Sequence, residues 1–253
     1  MRYAILQRHL EPPRVETLQQ AFQNLKCLTA YDAHILANDA FGVLVKNLSG
    51  KDASAIQGAL AAVGVETEMV PEKQLPPMPS AKLVRRAECS LEAFMIYDPA
   101  GRKFPVEWRH VTLIAAGSVR LSQFKTTETT RRVIRFDMRG HPRTETVTDK
   151  NTREERAFKL LLEVFLGRAV ARYSIAADKF LYHYLGPRQA KAMESNFALL
   201  VRDLIHHAPH AVLNRGAYYI RDNPTGFLPY PTKNAFFEEI TWMLWQMNRT
   251  ARA

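Results

Sequence analysis

The stretch "SLEAFMIYDPAGRKFPVEWRHVTLIAAGSVRL", residues 90–121, contains two or three runs rich in apolar and β-branched side chains. Such runs are typical of β-strands. The tetrapeptide Asp98-Pro99-Ala100-Gly101 separates the first two runs and is a favourable turn sequence, because proline presets φ and glycine accepts unusual backbone angles. The stretch therefore predicts consecutive β-strands at the start of the second part of the chain.

Further β-type runs follow, namely "RRVIRFDM", "FKLLLEVFL", "AVARYSIAAD" and "KFLYHYL". The segment from 122 to 156 is polar and rich in threonine, as in "KTTETTRR" and "TETVTDKNTREER". Its low apolar content predicts long mobile hairpin loops or a disordered insert, in which only "VIRF" pairs as a strand.

Two amphipathic helices are predicted near the C-terminus. In "AMESNFALLVRDLIHHA" one stripe at helical spacing contains Met193, Phe197, Leu200, Val201, Leu204 and Ala208. The second helix, residues 233–249, is "KNAFFEEITWMLWQMNR" and is apolar on nearly every side. Such a helix usually packs between two surfaces, so we expect it to seal a barrel mouth or to bridge two domains, and coverage by a second subunit stays open.

The N-terminal part alternates strands and helices. The runs "YAILQRHL", "FGVLVKNLS" and "VETEMVP" predict strands, and "PPRVETLQQAFQNLK" and "KDASAIQGALAAVG" predict helices. The piece "LTAYDAHILANDA" fits a strand or a helix; taken as a strand, it completes the β-α-β-β-α-β order of ferredoxin-like domains. Four prolines between residues 71 and 79 predict an extended linker. We therefore predict a ferredoxin-like domain over 1–72, a linker over 73–82 and a second domain over 83–253.

The second domain resembles a known family over residues 82–208. The run "FPVEWRHVTLIAAGSV" is similar to a strand pair of bacterial pleckstrin-homology and GRAM-type domains, on the match of Pro105, Trp108, Val111 and Ile114. The run "RYSIAADKFLYHYL" resembles their late hairpin. The resemblance implies an α+β fold with a half-open β-barrel capped by a helix, and a binding or scaffolding role. The insert at 122–156 and the helix at 233–249 depart from the family pattern, and no ligand residues are carried over.

The positive charge belongs to the second part of the chain. The net charge is +10, and residues 81–253 hold 28 Lys and Arg against 17 Asp and Glu. One short stretch contains five arginines, Arg131, Arg132, Arg135, Arg139 and Arg143. Such a patch can contact phosphate groups or be a solvated basic loop. Arg215 and Arg221 accompany Tyr218 and Tyr219, which indicates either a stacking and anion-binding surface or an ordinary strand or loop.

Signatures of catalysis and metal binding are missing from the sequence. It contains no G-x-G-x-x-G, no G-x-x-x-x-G-K-[ST], no H-E-x-x-H and no G-x-S-x-G, and Cys27 and Cys89 have unrelated contexts. In "DLIHHAPH", residues 203–210, Pro209 separates His206 from His210, so the pair does not share a helical face. We interpret the segment as a helix end with an Asp203–His207 surface contact.

These patterns predict a cytoplasmic, non-catalytic binding or regulatory protein without cofactor or metal. A protein is the expected partner. The alternative is binding of nucleic acid or anionic lipid through the basic region 131–143, which would weaken steeply as salt rises. The oligomeric state stays open.

Overall fold

The computed structural model describes the main chain of residues 1–136, 142–167 and 169–250; within 122–156 it describes side chains only at 128–131, 146 and 148. The fold is α+β, and the chain divides into two compact units. One comprises Met1–Val119 with Lys159–Ala253, and the other is Arg120–Phe158.

The strands are β1 (Tyr3–Gln7), β2 (Val43–Leu48), β3 (Thr67–Pro71), β4 (Ala81–Leu83), β5 (Ala87–Cys89), β6 (Ala93–Tyr97), β7 (Lys103–Glu107), β8 (Val111–Phe136), β9 (Pro142–Leu166), β10 (Ala171–Ala176), β11 (Val212–Leu213) and β12 (Pro229–Tyr230). The α-helices are α1 (Val15–Phe22), α2 (Ala30–Asp39), α3 (Gly50–Ala62), α4 (Met193–His207), α5 (Arg215–Asp222) and α6 (Lys233–Thr250).

The N-terminal strands form an antiparallel sheet in the order β2-β1-β3. The helices bury apolar side chains against it, including Leu18 of α1 and Ile56 of α3, both fully buried. The helix predicted from "KDASAIQGALAAVG" forms as α3; the Ser49 side chain caps its first turn, and Gly64 lies just beyond its C-terminal end with a φ of +78°. Glycine accepts this left-handed conformation without the strain that a Cβ would cause.

The predicted β-α-β-β-α-β order of the N-terminal part is wrong. The ambiguous segment "LTAYDAHILANDA" forms α2 instead of a strand, so the sheet has three strands. A capping box causes this: Thr29 Oγ1 accepts a hydrogen bond from the Asp32 N–H (3.3 Å), and the Asp32 carboxylate accepts one from the Thr29 N–H (2.7 Å). Two N–H groups that a helix start otherwise leaves unpaired are thereby satisfied.

The remaining strands form two sheets, and the described strands close no barrel. The antiparallel β5-β6-β7 sheet confirms the strands predicted around the Asp98–Gly101 turn. The larger sheet has the order β11-β8-β9-β10-β4, with β12 also paired to β8. Helix α4 buries its predicted stripe in the same hydrophobic cluster as residues of both sheets, including Phe94, Ile114 and Val164.

Part of the expected polar insert over 122–156 forms strands. The main chain of residues 122–136 belongs to β8 and that of residues 142–156 to β9, which are neighbours in the sheet, so the expectation that only "VIRF" pairs as a strand is wrong. Threonine is β-branched and has high β-propensity, and a strand pair needs no apolar composition where its faces are solvated. Residues 137–141 lie outside the described residues, and the choice between mobile hairpin loops and a disordered insert stays a prediction.

The run "KFLYHYL" is not a strand. Short 3-10 turns occupy Ala177–Lys179 and His183–Arg188, and only Leu181 makes an isolated bridge, to Arg86. Phe180 and Tyr182 are nevertheless buried, as their spacing indicated, with their rings packed edge to face at 5.0 Å. Phe180 and Tyr182 therefore alternate because their rings pack in the core, and not because they belong to a paired strand.

Helix α6 bridges the N-terminal sheet and the strands of the second part. Lys46 of β2 pairs with Glu238 at 2.7 Å. On another face, Phe236 is fully buried and packs edge to face on the ring of Tyr230 in β12. Helix α6 thus contacts both the N-terminal sheet and β12, and the division into domains at 73–82 remains a prediction. None of the helices in the described chain combines the length and apolarity that membrane crossing requires.

Candidate functional site

A cleft of about 430 Å³ lies between α6 and the segment that contains β11 and α5. Ligand-binding pockets typically measure about 300–1,000 Å³, so this volume suits a ligand or the side chains of a docked peptide. Its lining residues are Leu10, Val212, Leu213, Arg215, Tyr218, Glu239, Trp242, Met243, Gln246, Met247 and Thr250. These residues come from three distant parts of the sequence and meet only in the folded chain.

Helix α6 supplies one wall of the cleft. Its lining residues, Glu239 to Thr250, are spaced by three and four and therefore follow one face of the helix for about 16 Å. Thr232 fixes the helix start, because its hydroxyl accepts a hydrogen bond from the Ala235 N–H at 3.0 Å. Met243 and Met247 lie in the middle of this wall. Unbranched methionine side chains adapt their shape to a bound surface.

Trp242 holds this helix against the N-terminal sheet. Its indole Nε1–H donates a hydrogen bond to the main-chain oxygen of Gln7 at 2.6 Å, and its ring lies against Gly42. The wall of the cleft is thus fixed from behind by β1 and by the residue that precedes β2.

A buried hydrogen-bond network lies at the base of the cleft. Glu239 is fully buried; its Oε2 accepts from the Tyr230 hydroxyl at 2.6 Å, and its Oε1 accepts from the Arg215 main-chain N–H at 2.9 Å. Asn214 donates from Nδ2 to the Tyr230 oxygen at 2.9 Å. Burial, followed by the charge of Glu239, raises the pKa of Tyr230. This hydroxyl therefore keeps its proton and remains the donor to Glu239.

The Arg215 guanidinium is held more loosely than its carboxylate partner. Nη2 lies 3.5 Å from Glu239 Oε2, and Nε lies 3.4 Å from Oε1 without a hydrogen bond. The guanidinium carbon lies 4.0 Å from the centre of the Phe41 ring, and 28% of the side chain is exposed. The carboxylate already has two short hydrogen bonds, whereas the cation faces the cleft with donors unused.

Two glycines permit the close packing of this region. A Cβ at Gly216 would lie 1.9 Å from the Ala116 oxygen, and a Cβ at Gly117 would lie 2.4 Å from the Tyr230 ring. Gly216 lies inside α5, and the close approach of this helix to β8 requires glycine there.

Local capping explains why "NRGAYYIRD" is a helix rather than the expected strand or loop. Asn214 Oδ1 accepts a hydrogen bond from the Ala217 N–H at 2.9 Å, which starts α5. The same side chain bonds both main-chain groups of Ala116 in β8. This cap places Arg215 in the first turn of α5, at the edge of the cleft.

The predicted anion-binding arginines have different surroundings. Arg131 is exposed on β8, in the unit Arg120–Phe158. Arg132 and Arg135 lie in β8 and Arg143 lies in β9, and the structure describes only the main chain of these three residues. Arg139 lies outside the described residues. In the other unit, Arg215 lines the cleft. Arg221 is on α5, where it pairs with Asp222 at 2.7 Å and lies over the Tyr218 ring at 4.8 Å.

The histidine-rich segment is the end of α4, as predicted. Asp203 contacts other residues than the expected His207: Arg188 donates to both its oxygens at 2.9 Å, and the Tyr184 hydroxyl donates at 3.0 Å. His207 stacks on the Trp108 ring, with ring centres 4.9 Å apart. Packing on tryptophan therefore directs this histidine away from its helical neighbour.

Two features of the described residues bear on reactivity and metal binding. Burial raises the pKa of the Cys89 thiol to about 12, so this side chain is not a thiolate near neutral pH. Within the part of the chain that the structure describes, no group of three or more His, Cys, Asp or Glu side chains could hold a metal ion. The cleft itself is suited to holding apolar groups beside one arginine.

Sequence reasoning missed Asn214, Tyr230 and Glu239 as parts of this site. One signal was present, because Glu239 is three residues after Phe236 and four before Met243 and so falls on the buried stripe of α6. A carboxylate on such a stripe needs buried partners. The partners, however, precede Glu239 by 9 and 24 positions and could not be located from spacing.

Comparison of the chain with protein-family models, with curated proteins and with solved structures finds no significant match in any of the three.

Proposed function

We propose that this chain is a non-catalytic binding protein that recognises a protein partner through the cleft between α5 and α6. The observation that carries the proposal is the composition of the cleft. Its wall on α6 is about 16 Å long and mainly apolar. Of the two charged groups that line it, Glu239 is fully buried and lies 3.4 Å from Arg215 Nε, and 28% of the Arg215 side chain is exposed. Such a surface favours the burial of apolar side chains.

The shape of the wall suits a helical segment of the partner. Lining residues spaced by three and four along α6 form ridges and grooves, which accept the side chains of a second helix lying alongside. Helix-in-groove recognition uses this spacing. Met243 and Met247 can adapt to the apolar side chains that such a helix presents. The proposed ligand is therefore an amphipathic helix.

We also propose that residues 82–208 form a pleckstrin-homology-like, half-open barrel. Three features support this assignment. The β5-β6-β7 sheet is antiparallel, β9 pairs antiparallel with β10, and α4 follows them and packs in the cluster that both sheets share. A scaffold of this kind would carry a binding role, in agreement with the proposed function.

Site-specific crosslinking tests the proposed function. Tyr218 lines the cleft and is 45% exposed, whereas its neighbour Tyr219 is 41% exposed and does not line it. A benzophenone amino acid at 218, in the full chain within native lysate, is expected to yield a discrete protein adduct that survives nuclease and detergent. The same group at 219 provides the matched control.

A cleft-blocking variant completes this experiment. Met247→Lys places a charge in the apolar wall and should abolish the adduct at 218 while far-ultraviolet circular dichroism stays unchanged. Equal adducts at 218 and 219, or an adduct that persists in Met247→Lys, would show that the cleft does not recognise the protein.

A second candidate function is binding of nucleic acid or anionic lipid by the basic region 131–143. The observation that favours it is the pairing of β8 with β9, because a two-stranded β-ribbon fits the major groove of DNA. Binding to a DNA duplex or to anionic vesicles should weaken steeply with salt and be abolished when Arg131, Arg132 and Arg135 are changed to Glu. Weak binding that changes neither with the salt concentration nor with the three Arg→Glu substitutions would exclude this function.

A further inference from the structure

We propose that the helix recognised by the cleft carries a carboxylate, which binds Arg215 beside the apolar side chains that contact Met243 and Met247. This inference rests on the proposed function and names the chemistry of the partner.

The two members of the Arg215–Glu239 pair are bonded unevenly. Both Glu239 oxygens accept short hydrogen bonds, from the Tyr230 hydroxyl and the Arg215 main chain. The guanidinium, in contrast, has five N–H donors, and its side-chain contacts with Glu239 are at 3.4 and 3.5 Å. The Nε group is enclosed by the protein and has no acceptor within the described chain, so the donors open to a ligand are those on the terminal nitrogens of this 28% exposed side chain. Donors left unpaired at a largely apolar surface are costly, and an incoming acceptor removes that cost.

The position of the Arg215 guanidinium also favours a carboxylate ligand. The ring of Phe41 supports the guanidinium at 4.0 Å without an oxygen acceptor, so this contact leaves the N–H donors available. Arginine is the residue that best fits a carboxylate, because its planar group can donate two parallel hydrogen bonds. Glu239 does not compete fully for these donors, since it is already satisfied by Tyr230 and by the main chain.

The positions of Glu239, Met243 and Met247 along α6 set the spacing of the partner's side chains. Along α6, Met243 is one helical turn and Met247 two turns beyond Glu239, the residue that Arg215 contacts. These steps correspond to about 6 and 12 Å. A helix lying alongside α6 would therefore place an acidic residue at one position and apolar residues three or four, and seven or eight, positions away.

Selection from a peptide library tests the inference with the full chain. Random 16-residue peptides on phage are selected against the wild-type protein, with Met247→Lys as the counter-selection that removes binders outside the cleft. We expect the selected peptides to combine one Asp or Glu with apolar residues at the spacing given above.

Synthetic peptide pairs then measure the contribution of the carboxylate. A selected peptide should bind the wild type about tenfold more tightly than the same peptide with Glu replaced by Gln. On Arg215→Gln the two peptides should bind within about twofold of each other, whereas Arg221→Gln, at an exposed arginine outside the cleft, should preserve the tenfold difference. The comparison on the wild type remains decisive if Arg215→Gln does not fold.

The outcomes separate the two proposals. The proposed carboxylate on the partner helix would be overturned if the cleft-dependent peptides lacked acidic residues, or if the Glu and Gln peptides bound the wild type equally. Either result would leave the proposed function intact. A selection that yields no peptide sensitive to Met247→Lys would overturn both.

Discussion

The side chain of Trp242 fills the space that a side chain at residue 42 would need. A Cβ built on Gly42 would lie 2.4 Å from Cβ and Cγ of Trp242, and the φ of Gly42 is +83°. Glycine is therefore required here for two reasons, close approach and left-handed backbone. The contact fixes α6, and with it the apolar wall of the cleft, to the sheet at β2.

Gly42→Ala should consequently destabilise the protein strongly. The left-handed conformation costs an alanine about 1–2 kcal/mol, and displacement of the Trp242 ring adds an overpacking cost of about 1–3 kcal/mol. We expect a loss of about 3 kcal/mol in the free energy of unfolding, measured by urea denaturation.

Gly64→Ala measures the stability cost of the left-handed backbone by itself, without an overpacking cost. The φ of Gly64 is +78°, and a Cβ there would meet no atom within 4 Å. Its cost should be about 1 kcal/mol, the strain of the left-handed conformation alone. Equal losses for Gly42→Ala and Gly64→Ala would contradict the role assigned to Trp242.

Asn214→Ala should be among the most damaging single substitutions in the described chain. Asn214 is fully buried and bonds the Ala217 N–H, the Tyr230 hydroxyl and both main-chain groups of Ala116. Each buried group left unpaired costs about 1–3 kcal/mol. We expect a loss of at least about 3 kcal/mol in urea denaturation and a lower helix content in circular dichroism.

Asn223→Ala serves as its control. This exposed asparagine follows the last residue of α5, and its side chain donates a hydrogen bond to the Tyr219 oxygen at 3.3 Å. Its removal should cost less than about 1 kcal/mol, as for an ordinary surface substitution. A similar cost at both positions would show that Asn214 acts only as a helix cap.

Elements with strong local signals could be predicted from the sequence. Helix α4 has a continuous apolar stripe, and α3 has both a serine cap and a closing glycine. Helix α2 lacks such a stripe, because Ala33 is its one buried residue; its capping box of Thr29 and Asp32 was the available evidence against a strand.

The start of α5 depends on a more distant partner. Its cap, Asn214, bonds to Ala116, which is 98 residues earlier. The cleft escaped prediction for the same reason, because its walls come from residue 10, residues 212–218 and residues 239–250. Spacing within one segment cannot indicate such contacts.

Glu163 on β9 provides a prediction about pH. Its side chain is 2% exposed, its Oε1 accepts a hydrogen bond from Ser174 at 2.8 Å, and Arg172 Nε lies 3.6 Å from its Oε2. Burial raises the pKa of this carboxyl to about 7, although Ser174, Arg172 and Lys233 act in the opposite direction. The folded state therefore binds the proton more tightly than the unfolded state, whose carboxyl has the ordinary pKa of 4.5.

The protonated Glu163 carboxyl therefore stabilises the folded state below pH 4.5, and its contribution to the free energy of unfolding is lost as the pH rises to about 7. Glu163→Gln keeps an acceptor for Ser174 and carries no charge. We expect it to match the wild type near pH 4.5 and to exceed it at pH 8 by at most about 3 kcal/mol, at roughly 1.4 kcal/mol per pKa unit. Urea denaturation across this pH range measures the difference. Glu107→Gln, at an exposed glutamate paired with Arg109, should leave the pH profile unchanged. If Glu163→Gln were less stable than the wild type at pH 8, attraction to Arg172 and Lys233 would outweigh the cost of burial.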